Sequence, residues 1–150
     1  MKSIPSNALT HRVIGCAIEV HRQLGPGLLE SAYETCLCEE LALAGLPFLR
    51  QWQIPVVYKG RALDAHYQLD IVVQDALVLE IKAVQHIHPL HEAQLRTYLR
   101  LSGHPLGLLS NFNAIQMKDG ISRMIGAAAT VPNAPLRVLP PPIAPTPPER

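Results

Sequence analysis

Polar and apolar positions along this chain change period from about 3.6 to 2 and back. Val13, Ile14, Ala17, Ile18 and Leu24 keep helical spacing. They predict a helix that starts near Ser6–Thr10, with Ser6, Asn7 or Thr10 as its cap, and stops at Gly25-Pro26-Gly27. Leu29, Ala32, Tyr33, Cys36, Leu37, Leu41 and Ala44 predict a second helix closed by Gly45. The period then shortens. Gln53–Tyr58 reads as a strand whose Pro55 places it at an edge or a bulge, and Lys59-Gly60 reads as a turn. Tyr67–Val73 is an apolar strand carrying one acid, Asp70, and Gln74-Asp75-Ala76 suits a three-residue hairpin loop into the strand Val78–Val84. His88-Pro89 opens a third helix, with Leu95 and Leu99 turned to the core and His91, Gln94 and Tyr98 on one stripe. Ser102-Gly103-His104-Pro105 stops it, and Leu106–Phe112 follows as a buried strand, expected parallel to Val78–Val84 because a helix intervenes. Asp119-Gly120 predicts a small C-terminal hairpin ending near Ile125. This order describes an α/β protein with a sheet of about four strands and helices packed against it.

The strand Val78–Val84 carries two charges where a buried strand should carry none. Alternation puts Glu80 and Lys82 on one face, and losing their hydration costs several kcal/mol per ion unless something compensates. A hairpin symmetric about Asp75 sets Val73 against Leu77 and Asp70 against Glu80. Directly opposed side chains have Cβ atoms about 4.5–5.5 Å apart, so two carboxylates there repel. A divalent cation between them turns the repulsion into a ligand set. A solvated face or an internal ion pair is the bland reading of Glu-x-Lys.

Composition narrows the picture. The 150 residues are 48% hydrophobic and 17% charged with a net charge of +1, so a basic surface for nucleic acid has to be local. Eight of the 14 prolines fall after residue 131, which separates a domain at 1–130 from a Pro-rich tail at 131–150 expected to be disordered or extended. Cys16, Cys36 and Cys38 lack a metal-type spacing and suit reduced thiols in a cytoplasmic protein. A signal peptide and a membrane span are not expected. His86, His88 and His91 straddle a strand end, a turn and a helix, which does not suit zinc; His91 is better placed to line a cleft or meet a phosphate. Arg96 and Arg100, four apart, form either a phosphate-tracking edge with Arg50 or Arg61 or a solvated helix face.

Gly27-Leu28-Leu29-Glu30-Ser31-Ala32-Tyr33 resembles the G-x-x-E-x-x-Y signature of the GxxExxY protein family. Asp70, then Glu80-Ile81-Lys82, then Gln94-x-x-x-Tyr98 resemble in order the motifs of the PD-(D/E)XK nuclease superfamily in its RecB-like branch. Leu106–Phe112 and Lys118–Ile121 resemble the closing segment, so the likeness covers roughly residues 10–125 and leaves out the tail. It implies a restriction-endonuclease-like core and a Mg²⁺- or Mn²⁺-dependent nuclease acting on DNA in preference to RNA. Asp70, Glu80 and the Ile81 backbone carbonyl would hold the metal, and Lys82 would hold or activate the attacking water. Glu30 would add an acid at the edge of the site. Gln94 and Tyr98 would position Lys82, the water or the nucleic-acid backbone, with Tyr98, His91, Arg96 and Arg100 contacting nucleic acid. Tyr33 is expected in the core.

The weak net charge favours a different class of function. In it the chain keeps the nuclease fold as a nucleic-acid-binding or protein-interaction module without turnover of its own, completed by a homodimer or partner protein. A purely structural charge network is disfavoured, because buried ion pairs gain little over apolar replacements.

Overall fold

A computed structural model describes residues 5–126. The order is α1 (Asn7–Leu24), α2 (Glu30–Leu43), β1 (Phe48–Tyr58), β2 (Arg61–Val73), β3 (Leu77–Lys82), α3 (Pro89–Ser102), β4 (Leu106–Asn111), a 3₁₀ turn (Met117–Gly120) and β5 (Ile121–Ile125). The Pro-rich segment 131–150 lies outside the described residues.

Local chemistry sets the helix ends. Ser6 Oγ accepts a hydrogen bond from the Leu9 N–H at 3.2 Å and caps α1. At its other end Gly25 takes φ 67°, which a side chain would resist. α1 buries Leu9, Val13, Cys16, Ala17 and Val20, whereas Ile18 and Leu24, expected in its stripe, are 42% and 37% exposed. The buried line runs 13–16–17–20, and Ile18 sits about 100° around the helix from Ala17. Among the described residues no helix is long and apolar enough to cross a membrane.

The sheet runs β1-β2-β3-β4-β5, and β3–β4 is its parallel pair, as the intervening helix requires. It has five strands where about four were expected. The Asp-Gly segment forms a 3₁₀ turn, and β5 pairs back antiparallel onto β4 from Ile125↔Leu106 to Ile121↔Ser110 rather than closing a separate hairpin. α1 and α2 cover one face, where Tyr33, Leu37 and Leu41 meet Ile71, Leu79, Ile81 and Phe112. α3 covers the other, where Leu95 and Leu99 meet Trp52, Leu69, Val72, Val78 and Leu109. β4 is buried throughout and β3 at all but Lys82, which is why both read as near-continuous apolar runs. His104 is fully buried against Trp52 and joins Asp75 of the β2–β3 loop (2.9 Å) to Ser102 (2.7 Å).

One irregularity positions the site. Strict alternation would put Leu69 and Val72 on opposite faces, yet both belong to the α3-side cluster. The break falls at Asp70. The pairs Arg50↔Ile71 and Trp52↔Leu69 flank it without a Gln51–Asp70 pair between them, and Gln51 takes φ 54°. Side chains on both strands therefore change face at this level while the register runs on unbroken, and the shift in the ladder comes farther out, between Pro55 and Val57. Beyond it β1 and β2 continue as an arm closed by Lys59 and Gly60 (φ 51° and 77°), with Arg61–His66 exposed throughout.

Candidate metal and phosphate site

The acids meet where the β2–β3 ladder ends. Gln74 and Asp75 both take φ 51° in the three-residue loop, Val73 pairs with Leu77, and the last pair is Ile71↔Leu79. The same register carried one step further sets Asp70 across from Glu80. No ladder pair forms there. Asp70 Oδ2 instead accepts a hydrogen bond from the Ile81 N–H at 2.8 Å. Phe112 N–H donates to the Lys82 carbonyl at 2.8 Å, so the backbone groups of Lys82 face β4 and those of Ile81 face β2. The Ile81 carbonyl is therefore on the Asp70 side.

Glu80 is 4% exposed. Burial pushes its carboxyl far above the usual range. Asp70 raises it further, by its charge and by accepting a hydrogen bond from the protonated form; Lys82 opposes this and Glu30 adds to it. Glu80 Oε2 has no hydrogen-bond partner among the described residues. An orphaned buried oxygen costs about 1–3 kcal/mol. A proton on Glu80, donated in a hydrogen bond to Asp70, softens that cost, and a bound cation would remove it.

Tyr98 on α3 answers to the same charges. Burial chiefly raises its phenol, Glu80 and Asp70 add to the effect, and its hydroxyl accepts from Gln94 Nε2 at 2.9 Å. Lys82 is half-buried on the Glu80 face, and Glu30 is exposed in the first turn of α2. Asp70, Glu80, Lys82, Glu30 and Tyr98 thus share one electrostatic neighbourhood, with Gln94 joined through Tyr98. His91 is used in the cap of α3: its Nδ1 accepts from the His88 N–H at 3.1 Å while His88 Nδ1 accepts from the Leu90 N–H. Arg96 lies 4.0 Å from Glu92 in a solvated pair, and Arg100 is exposed. For these three no link to the acids exists among the described residues.

Sequence reasoning missed four supporting residues. Glu34, one turn after Glu30 and buried, accepts from Arg50 Nε at 2.8 Å and from Gln51 Nε2. Its carboxyl is raised, first by burial, with Arg50 opposing. Arg50, considered for a phosphate edge, is committed to this pair, and Gln51 is held in its left-handed conformation opposite Asp70. Asn111 imitates one further rung of sheet. Its Oδ1 accepts from Val84 N–H (3.1 Å) and Asn113 N–H (3.2 Å), and its Nδ2 donates to the Val84 carbonyl (3.0 Å). Asn113 Oδ1 in turn accepts from the Gly27 N–H at 3.0 Å, where Gly27 takes φ 100°. Tyr33 is fully buried, stacks on Phe112 at 4.8 Å, donates to the Gly25 carbonyl (2.6 Å) and accepts from Leu28 N–H (3.1 Å). Gly27 and Tyr33 thereby fix the loop that delivers Glu30.

Among the described residues no three His, Cys, Asp or Glu side chains converge as a metal-binding group. Two carboxylates, one backbone carbonyl and water are a donor set that fits Mg²⁺, which keeps several waters when protein-bound. The orphaned Glu80 oxygen beside Asp70 fits the same ion.

A family model of the PD-(D/E)XK nuclease superfamily matches residues 7–124. The chain belongs to that superfamily, and its five-stranded mixed sheet with three helices is restriction-endonuclease-like. No curated protein and no solved structure matches the chain.

Proposed function

We propose that this member of the superfamily is a divalent-metal-dependent nuclease that hydrolyses phosphodiester bonds, in DNA in preference to RNA. The observation that carries the reading is the buried Glu80 carboxyl, with one oxygen unpartnered, set beside Asp70 at the broken end of the ladder. An apolar sheet has no use for that arrangement, whereas a cation site requires it. Asp70, Glu80 and the Ile81 carbonyl would hold Mg²⁺ or Mn²⁺, which when bound supplies a Lewis acid against phosphate oxygens.

The remaining work falls to side chains. Lys82, on the Glu80 face, presents an ammonium that donates hydrogen bonds to the attacking water or to a phosphate oxygen, and offsets charge that develops there. The Gln94–Tyr98 pair fixes a phenol at the edge of the acids, where it orients that water or the backbone. Glu30 stands at the rim as an acceptor for water.

Cleavage of labelled single- and double-stranded DNA and RNA, with Mn²⁺, Mg²⁺ or EDTA, tests the proposal. Expected is metal-dependent cleavage that disappears in Lys82→Ala and in Glu80→Gln. Cleavage that persists in EDTA or in either variant overturns it, as does inactivity towards all substrates combined with no Mn²⁺ shift of Tm.

A further inference from the structure

Tyr67 lies on β2 three residues before Asp70 and is half-buried. Its ring centroid is 5.6 Å from that of Tyr98, the planes tilted by 50°. Tyr98 packs on the α3-side cluster and so does Ile54, the ladder partner of Tyr67. Tyr67 stands outside that cluster and leans on Tyr98, and its hydroxyl makes no hydrogen bond among the described residues. Three strand residues span at most about 10 Å, which bounds how far along β2 Tyr67 stands from Asp70.

We infer that Tyr67, backed by Tyr98, is the stacking face for the nucleobase next to the phosphate that is cut. The substrate is then a single strand or an unpaired end. Every base offers a π-face, so an aromatic ring holds any unpaired base without reading its sequence. In an intact duplex those faces are already covered by neighbouring base pairs. Tyr98 packs against the ring and Ile54 stands across the ladder from it, so part of its freedom is already lost before a base arrives. The inference rests on the nuclease reading and specifies its substrate.

The full chain is titrated in EDTA, which stops metal-dependent turnover, against a short oligothymidine strand containing one 2-aminopurine and against the same strand annealed into a blunt duplex. Wild type and Tyr67→Phe should quench the single-strand fluorescence. Tyr67→Leu should lose the quench and bind on the order of tenfold more weakly, with duplex binding unchanged. Circular dichroism checks folding, and Tyr67→Gln replaces Tyr67→Leu if the latter melts early. Quenching by Tyr67→Leu equal to wild type overturns the inference, and so does an equal dependence of duplex binding on Tyr67. A protein that stacks the strand in this Tyr67-dependent way but neither cleaves with Mn²⁺ nor gains Tm from it upholds the stacking and overturns the nuclease reading. One that cleaves without regard to Tyr67 does the reverse.

Discussion

Replacing Glu80 with glutamine should stabilise the metal-free protein, by more as the pH rises. An unfolded Glu titrates near about 4.3. In the folded chain burial and Asp70 hold the Glu80 carboxyl far above that value. The folded state thus keeps a proton that the unfolded state releases, and wild-type stability falls as pH rises above about 4.3. The slope is at most about 1.4 kcal/mol per pH unit, or about 3 kcal/mol between pH 5 and 7. Lys82 opposes the rise, so about 1–3 kcal/mol is expected over that interval. Glutamine keeps the shape, carries no charge and can donate to Asp70. The variant should therefore lose this part of the slope and melt about 3–10 °C above wild type at pH 7 in EDTA. Urea and thermal melts at pH 5, 6, 7 and 8 measure the difference directly. Mn²⁺ should raise the Tm of wild type and not of Glu80→Gln, by mass action on the folded state. Parallel pH slopes for the two proteins would refute the reasoning, because they would mean that Glu80 is ionised at no cost.

Asn111→Ala removes three hydrogen bonds around Val84 and Asn113 and should cost about 1–3 kcal/mol in urea unfolding. Tyr33→Phe keeps the ring on Phe112 but strands the Gly25 carbonyl and the Leu28 N–H. A loss of about 1–2 kcal/mol is expected, with faster hydrogen exchange at Leu28; exchange unchanged there would count against the pin. At Gln51 (φ 54°), Gln51→Gly and Gln51→Val both lose the bond to Glu34, but the glycine variant should be about 1–3 kcal/mol more stable than the valine one. Equal melting of those two variants would show that the left-handed backbone is not what the position requires.

The register of the acid hairpin was legible because two local signals agree, a three-residue loop and apolar residues on either side of it. Those signals place Val73 against Leu77 and carry Asp70 towards Glu80. The change of face at Asp70 was not legible. Leu69, Asp70 and Ile71 alternate perfectly on paper, and the change of face falls opposite the left-handed Gln51, a residue 19 positions upstream with no turn signature. Glu34 was hidden for a similar reason, since its burial is tolerable only with Arg50 and Gln51 from a separate element. The α1 stripe was misread at Ile18 and Leu24 because hydrophobicity was followed in place of geometry, and the thiol of Cys16 took a core position. The terminal Asp-Gly pair suggested a hairpin, but the unpaired edge of β4 captured the following residues as a fifth strand. His104 carries no signal at all until Asp75, Ser102 and Trp52 close around it.

At Gln51 and Asp70 the side chains of β1 and β2 change face within an unbroken register, which divides the two strands into stretches of different phase. On the body side the alternation is set by the core, and past Trp52 and Leu69 it starts afresh. Residues added to or removed from the arm in matched pairs therefore leave every side chain near the acids where it was. One residue lost between Phe48 and Gln51 would invert everything beyond it. The arm is in this sense a length-adjustable module, whose reach can be redesigned, or can drift, without disturbing the chemistry at its root.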